Sequence, residues 1–207
     1  MTEEEWLATN PGLMLYHLEK NGSASPRKLR LFAVSYAYYL QKLPEFADTE
    51  PVAHLGDDVV EGKATLDQLW DWCQNTRVFG WNIANLVLAE DRGLGNAIRW
   101  RMALLWPETP PNPEASSVQQ FEFLRPRLRC IFGNPFRPVA IDPQWLTSTV
   151  TLLAKGIYDD RAFDRLPILA DALQDAGCDN ADVLNHCRDT GPHARGCWVV
   201  DLVLGKT

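Results

Sequence analysis

Apolar positions recur at intervals of three and four along most of this chain, the period of an α-helix with one buried face. The clearest case is PRKLRLFAVSYAYYLQKL, where Leu29, Phe32, Tyr36, Leu40 and Leu43 fall on one side. Beyond Leu31 it is apolar almost all round, which marks a central helix, and Pro44 ends it. Upstream, Thr2 before Glu3, Glu4 and Glu5 is a helix start, a capping hydroxyl followed by acids in the positive first turn. Asn10-Pro11 opens a second helix that Asn21-Gly22 closes. PVAHLGDDVVEG reads as a weaker helix, and Thr65 caps a stretch from Leu66 that Gly80 divides. GNAIRWRMALLW is another, ending at Pro107.

The second half continues the period. SSVQQFEFLRPRLRCIFG is helical, with Pro126 expected to kink or end it. GNPFRPVAIDP is extended, because residues before proline leave the α region. TSTVTLLAKGIYDD and DRLPILADALQDAG follow. In the latter Asp164 is the expected N-cap, Pro167 sits in the tolerated first turn, and Gly177 takes the left-handed C-terminal position. ADVLNHC is a short helix and ARGCWVVDLVLGK closes the chain. No strand alternation and no repeat of fixed period interrupts this pattern. It predicts an all-α bundle of about nine to eleven helices. PETPPNPEASS, rich in proline and without an apolar anchor, is the expected linker at 107–117, between an N-terminal helical region (1–106) and a C-terminal module (118–207).

Composition narrows the function classes. With 207 residues, 46% hydrophobic and 23% charged, the chain can bury a sizeable core. The net charge is −7 and neither half is basic, which argues against sequence-independent grip on nucleic acid. No apolar run approaches the ~20 residues that span a bilayer. MTEEEW is acidic and lacks a signal-peptide core, so a cytoplasmic protein without membrane attachment is expected. Five scattered cysteines do not form a secreted disulfide framework. No P-loop, GxGxxG, GxSxG, HExxH or CxxC is present, and no catalytic or cofactor-binding residue is assigned.

Three features carry candidate chemistry. The stretch GCDNADVLNHCRDTGPHARGCW holds three of the five cysteines and two of the four histidines. Choosing Cys178, His186, His193 and Cys197 gives Cys-x7-His-x6-His-x3-Cys, four N and S ligands of the kind zinc takes. His193 and Cys197 would share a face if 193–197 were helical. Cys178 and His186, about 12 Å apart on one continuous helix, would meet only across a turn at Gly177–Asn180. The preferred reading is that these cysteines fill a helical core and the histidines cap helix ends, with zinc as the alternative. The second feature is Arg125, Arg127, Arg129 and Arg137, interleaved with Phe132 and Phe136. It is either a nucleic-acid grip or a solvated basic face, and the acidic balance favours the latter. The third is Asp159, Asp160 and Asp164, read as a helix-ending turn rather than a catalytic or metal-binding group. Trp70, Trp72, Trp81, Trp100 and Trp106 read as core packing.

The phrases IFGNPFRP, DPQWLT, IYDDRAFDRLPILADALQDAGC and HARGCWVVDLVLGK resemble a C-terminal module found in an uncharacterised bacterial family with many paralogous copies. TEEEWL and RKLRLFAV resemble the opening of the same proteins, and LADALQDAG is similar to the helix of repeat-companion domains. The resemblance covers most of 131–206 and little of 45–120. It implies an accessory or interaction role and no particular chemistry. The expectation is a non-enzymatic helical module that binds a protein partner, with a zinc-stabilised domain or an arginine-based nucleic-acid accessory as alternatives.

Overall fold

The computed structural model describes residues 1–40, 50–75 and 113–206. The helix expected at 95–106, the break at Gly80, Trp81, Trp100, Trp106 and the first part of the linker lie outside them. The described chain is all-α, as the periodicity requires, with no strand. Its α-helices are α1 (Glu3–Ala8), α2 (Pro11–Lys20), α3 (Pro26–Leu40), α4 (Glu50–Val60), α5 (Leu66–Gln74), α6 (Pro113–Phe132), α7 (Ser148–Asp160), α8 (Leu166–Asp175), α9 (Ala181–Arg188) and α10 (Trp198–Leu204). Two short 3₁₀ turns, Pro143–Trp145 and Phe163–Arg165, join them.

The helix starts follow from side-chain caps. Thr2 Oγ1 accepts from Glu5 N–H while the Glu5 carboxylate accepts from Thr2 N–H, a reciprocal capping box. Thr65 and Gln68 repeat that exchange at α5. Asn10, Thr147 and Asn180 cap α2, α7 and α9 through their side-chain oxygens. Asp164 does not do so. It lies inside the 3₁₀ turn, and Arg165 is the N-cap of α8, without a side-chain cap bond. The tighter turn moves the helix start one residue beyond the acid.

The chain forms two compact units, 1–125 and 126–207. The division therefore falls at Pro126, within α6, and the helix begins at Pro113, inside the segment expected to be a linker. Pro126 neither ends the helix nor stops it short of Phe132, although it removes one backbone donor.

In the first unit α3 packs on α4, and the buried side chains include Trp6, Met14, Leu18, Phe32, Tyr36 and Leu69. Tyr38 Oη donates to Asp57 Oδ2 at 2.8 Å and lies 3.1 Å from His54 Nδ1.

In the second unit α8 packs on α9, and α7 on α8 and α10. Val150, Ile157, Leu166, Leu169, Leu173, Val183 and Val199 form its core together with Cys130, Cys178, Cys187 and Cys197. Each large aliphatic side chain buried this way contributes roughly 1.5–3 kcal/mol. Gly177 (φ +91°) ends α8 in a Schellman arrangement, its N–H on Gln174 O and Cys178 N–H on Leu173 O, both at 2.9 Å. Among the described residues no helix is long and apolar enough to cross a membrane.

Candidate metal centre

The four groups that converge arrive from three places. Cys130 stands in the last turns of α6, which Gly133 ends with its N–H on Arg129 O. His186 stands in the last turn of α9. His193 and Cys197 come from the irregular segment between α9 and α10, with Cys197 as N-cap of α10. That segment is not helical, so His193 and Cys197 do not meet by sharing a helix face. A turn closed by Cys197 N–H on Ala194 O brings them together. Arg195 fastens the segment to the rest of the unit. Its guanidinium donates to Tyr158 O and Asp159 O at 3.1 and 3.2 Å, two backbone carbonyls in the last turn of α7. The same guanidinium lies 5.0 Å from the Tyr158 ring centre.

One ligand atom from each of Cys130, His186, His193 and Cys197 lies within 4.8 Å of all the others. His186 Nε2 is 3.2 Å from Cys197 Sγ, and His193 Nδ1 is 3.6 Å from Cys130 Sγ. Tetrahedral zinc with ordinary Zn–S and Zn–N bonds separates its ligand atoms by roughly 3.3–3.8 Å. The observed group thus needs a contraction of about 1.5 Å at most. Among the described residues this is the one cluster of three or more such side chains that could hold a metal ion.

Three of these residues were candidates from sequence. The fourth, Cys178, was not brought in. It follows Gly177 as the last residue of the Schellman turn and is buried in the core outside the converging group. Cys130 takes that place.

The protonation of the site follows from its packing. In the metal-free form, burial alone would push the Cys197 thiol up, but hydrogen bonds from Cys130, His186 and His193 outweigh it and hold Cys197 well below the ordinary thiol range. Cys130 moves the other way, raised by its hydrogen bond to Cys197 and by burial. Burial opposes the charged form of His193, yet its contacts with Cys197 and the Asp189 carbonyl leave it raised. Within this pair of thiols the proton is thus favoured on Cys130 over Cys197. His193 Nε2–H donates to Asp189 O at 3.0 Å, which leaves Nδ1 as the ring nitrogen available to the cluster. Such backbone anchoring of the non-ligating nitrogen is what metal-bound histidines ordinarily show.

This geometry suits a closed structural site. Cys197 is fully buried and Cys130 is 2% exposed, so neither sulfur is presented to a substrate as a nucleophile would be. Four protein ligands complete a tetrahedron and reserve no position for water. Cys187, also fully buried, is pushed up by desolvation and behaves as a core thiol.

The other candidates disperse. Arg125, Arg127 and Arg129 are half-buried on α6, where Arg125 and Arg129, about one turn apart, share a face and Arg127 is turned away from them. Arg137 is exposed and 3.5 Å from Asp182. Asp159 pairs with Lys155 and Asp160 lies 4.0 Å from Arg165, so these carboxylates serve ion pairs at the end of α7. No protein-family model matches the chain, and no curated protein or solved structure is significantly similar to it.

Proposed function

We propose that residues 126–207 are a zinc-stabilised helical module with a structural, non-enzymatic role, in which Cys130, His186, His193 and Cys197 hold the ion. The observation that carries this is the convergence of two thiols and two imidazoles from three separate segments onto one point, within 4.8 Å of each other. Zinc is favoured over other divalent ions by the mixed S₂N₂ set and its near-tetrahedral spacing. The ion would tie α6, α9 and the 189–197 segment together across 67 positions of sequence, from 130 to 197. An accessory role without chemistry of its own is also what the resemblance of the 131–206 segment implies.

The test is a thermal melt of the purified full chain with and without a strong chelator, alongside metal analysis. The expected result is about one zinc per chain and a lowered melting temperature once it is removed, because ligand binding to the folded state alone stabilises it. Zinc-free protein whose melt ignores both chelator and added zinc would overturn the proposal.

A further inference from the structure

The four proposed ligands are not held in the same way. Cys130 is fixed by α6, Cys197 by its place at the start of α10, and His193 by the Asp189 carbonyl. His186 is positioned by rings. The Trp198 indole lies 5.4 Å from its centre at an interplanar angle of 50°, and the His193 ring meets it edge-on at 5.0 Å and 88°. Trp198 directly follows the ligand Cys197 and is the first residue of α10, so backbone geometry fixes where its side chain starts.

The indole also lies against Gly133, three residues after the ligand Cys130. A Cβ at this position would lie 3.2 Å from Trp198 Cγ and 3.4 Å from Cδ2, so the ring already rests on bare backbone. Gly133 also has φ +70°, a conformation that a side chain would strain. Trp198 thus touches both Gly133, at the end of α6, and the His186 ring that bears Nε2. That nitrogen already points at Cys197 Sγ, 3.2 Å away.

We infer that Trp198, seated on Gly133, is a positioning residue of the metal centre: it is the wall that keeps the His186 imidazole turned with Nε2 toward the ion. This rests on the zinc reading above. It assigns a joint purpose to two short phrases, CIFG and GCW, that lie far apart in sequence and would otherwise be ordinary core packing. Metal sites depend on such supporting contacts, whose loss typically costs 10–100-fold in affinity.

Cobalt(II), loaded into the full-length chain, reports the geometry directly. Wild type should show intense tetrahedral d–d bands together with thiolate-to-cobalt charge transfer. Trp198→Ala should keep the charge transfer from Cys130 and Cys197, lose d–d intensity as His186 yields to water, and bind zinc about 10–100-fold more weakly. Trp198→Phe should restore most of both signals, because a flat ring again backs the imidazole. Gly133→Ala should shift the bands by displacing the indole. Trp145→Ala, which removes another core tryptophan of the same unit, should lower stability and leave the bands unchanged.

Wild-type bands and zinc affinity in Trp198→Ala would overturn the inference. Should that variant fail to fold, wild-type bands in a folded Gly133→Ala chain would do so. A wild-type chain that takes up neither cobalt nor zinc would instead overturn the metal reading itself.

Discussion

The two units solve the same packing problem with different materials. The largest fully buried side chains among the described residues, Trp6, Tyr36, Phe32 and Met14 at their head, all belong to residues 1–125. The unit from Pro126 onward is shorter, and the fully enclosed apolar part of its core has Trp145 and Tyr158 as its aromatic groups, the rest being aliphatic side chains, alanines and four thiols, with Phe163 and Trp198 partly buried against it. Domains of that size bury a smaller fraction of their surface and gain less from their core, so they commonly need an extra tie. A metal bound by residues from three segments is such a tie. The first unit can rest on large aromatic groups, whereas under the proposed function the second depends on an ion.

That contrast can be broken most forcefully by taking the ion away. Chelation should raise hydrogen exchange throughout 126–206 while protection in α1 to α3 changes little, because zinc contributes folding free energy only where its ligands are. Equal loss of protection in both regions would erase the distinction. The pH dependence sharpens it. Cys130 holds its proton in the metal-free form because Cys197 and burial raise it, and His193 is raised as well. Zinc must displace these protons, so lowering the pH supplies a competitor and weakens binding. The apparent affinity should fall by about tenfold per pH unit for each proton displaced. Titration with a competing zinc indicator at several pH values measures that slope, and a flat profile would exclude thiol ligation.

Core truncation tests the other half of the comparison. Trp6→Ala in the first unit should cost about 3–5 kcal/mol and Leu169→Ala in the second about 2–5 kcal/mol, both with zinc content unchanged. Denaturant melts of the zinc-loaded chain provide the values. A smaller effect is expected at a helix start. The Asn180 side chain accepts from Asp182 N–H and Val183 N–H, and Asn180→Ala should cost about 1 kcal/mol.

Much of the scaffold was legible because local chemistry dictates it. Thr2, Asn10 and Thr65 cap the helices their sequence positions suggest, and Gly177 ends α8 in the expected left-handed conformation. Asp164 misled because a 3₁₀ turn, which a cap pattern does not distinguish from a helix start, occupies its position. The linker misled for a related reason: prolines are tolerated at a helix start, and α6 begins at Pro113.

The candidate site was legible only where its residues are neighbours in sequence. His186, His193 and Cys197 stand within one short stretch, and Cys178 drew attention by proximity alone. Cys130 precedes His186 by 56 positions and has no metal-ligating companion beside it. Only the packing of α6 against the second unit's core brings its sulfur to the others. The one local hint is Gly133 after the cysteine, whose meaning depends on Trp198 lying against it.

Zinc stoichiometry in two single-thiol variants tests the central claim most directly. Cys130→Ser and Cys178→Ser each remove one buried thiol from the same core. Measured on folded, purified full-length protein, Cys178→Ser should retain about one zinc per chain and Cys130→Ser should lose it or hold it at least tenfold more weakly. Zinc retained in Cys130→Ser and lost in Cys178→Ser, or absent from the wild type, would contradict the account.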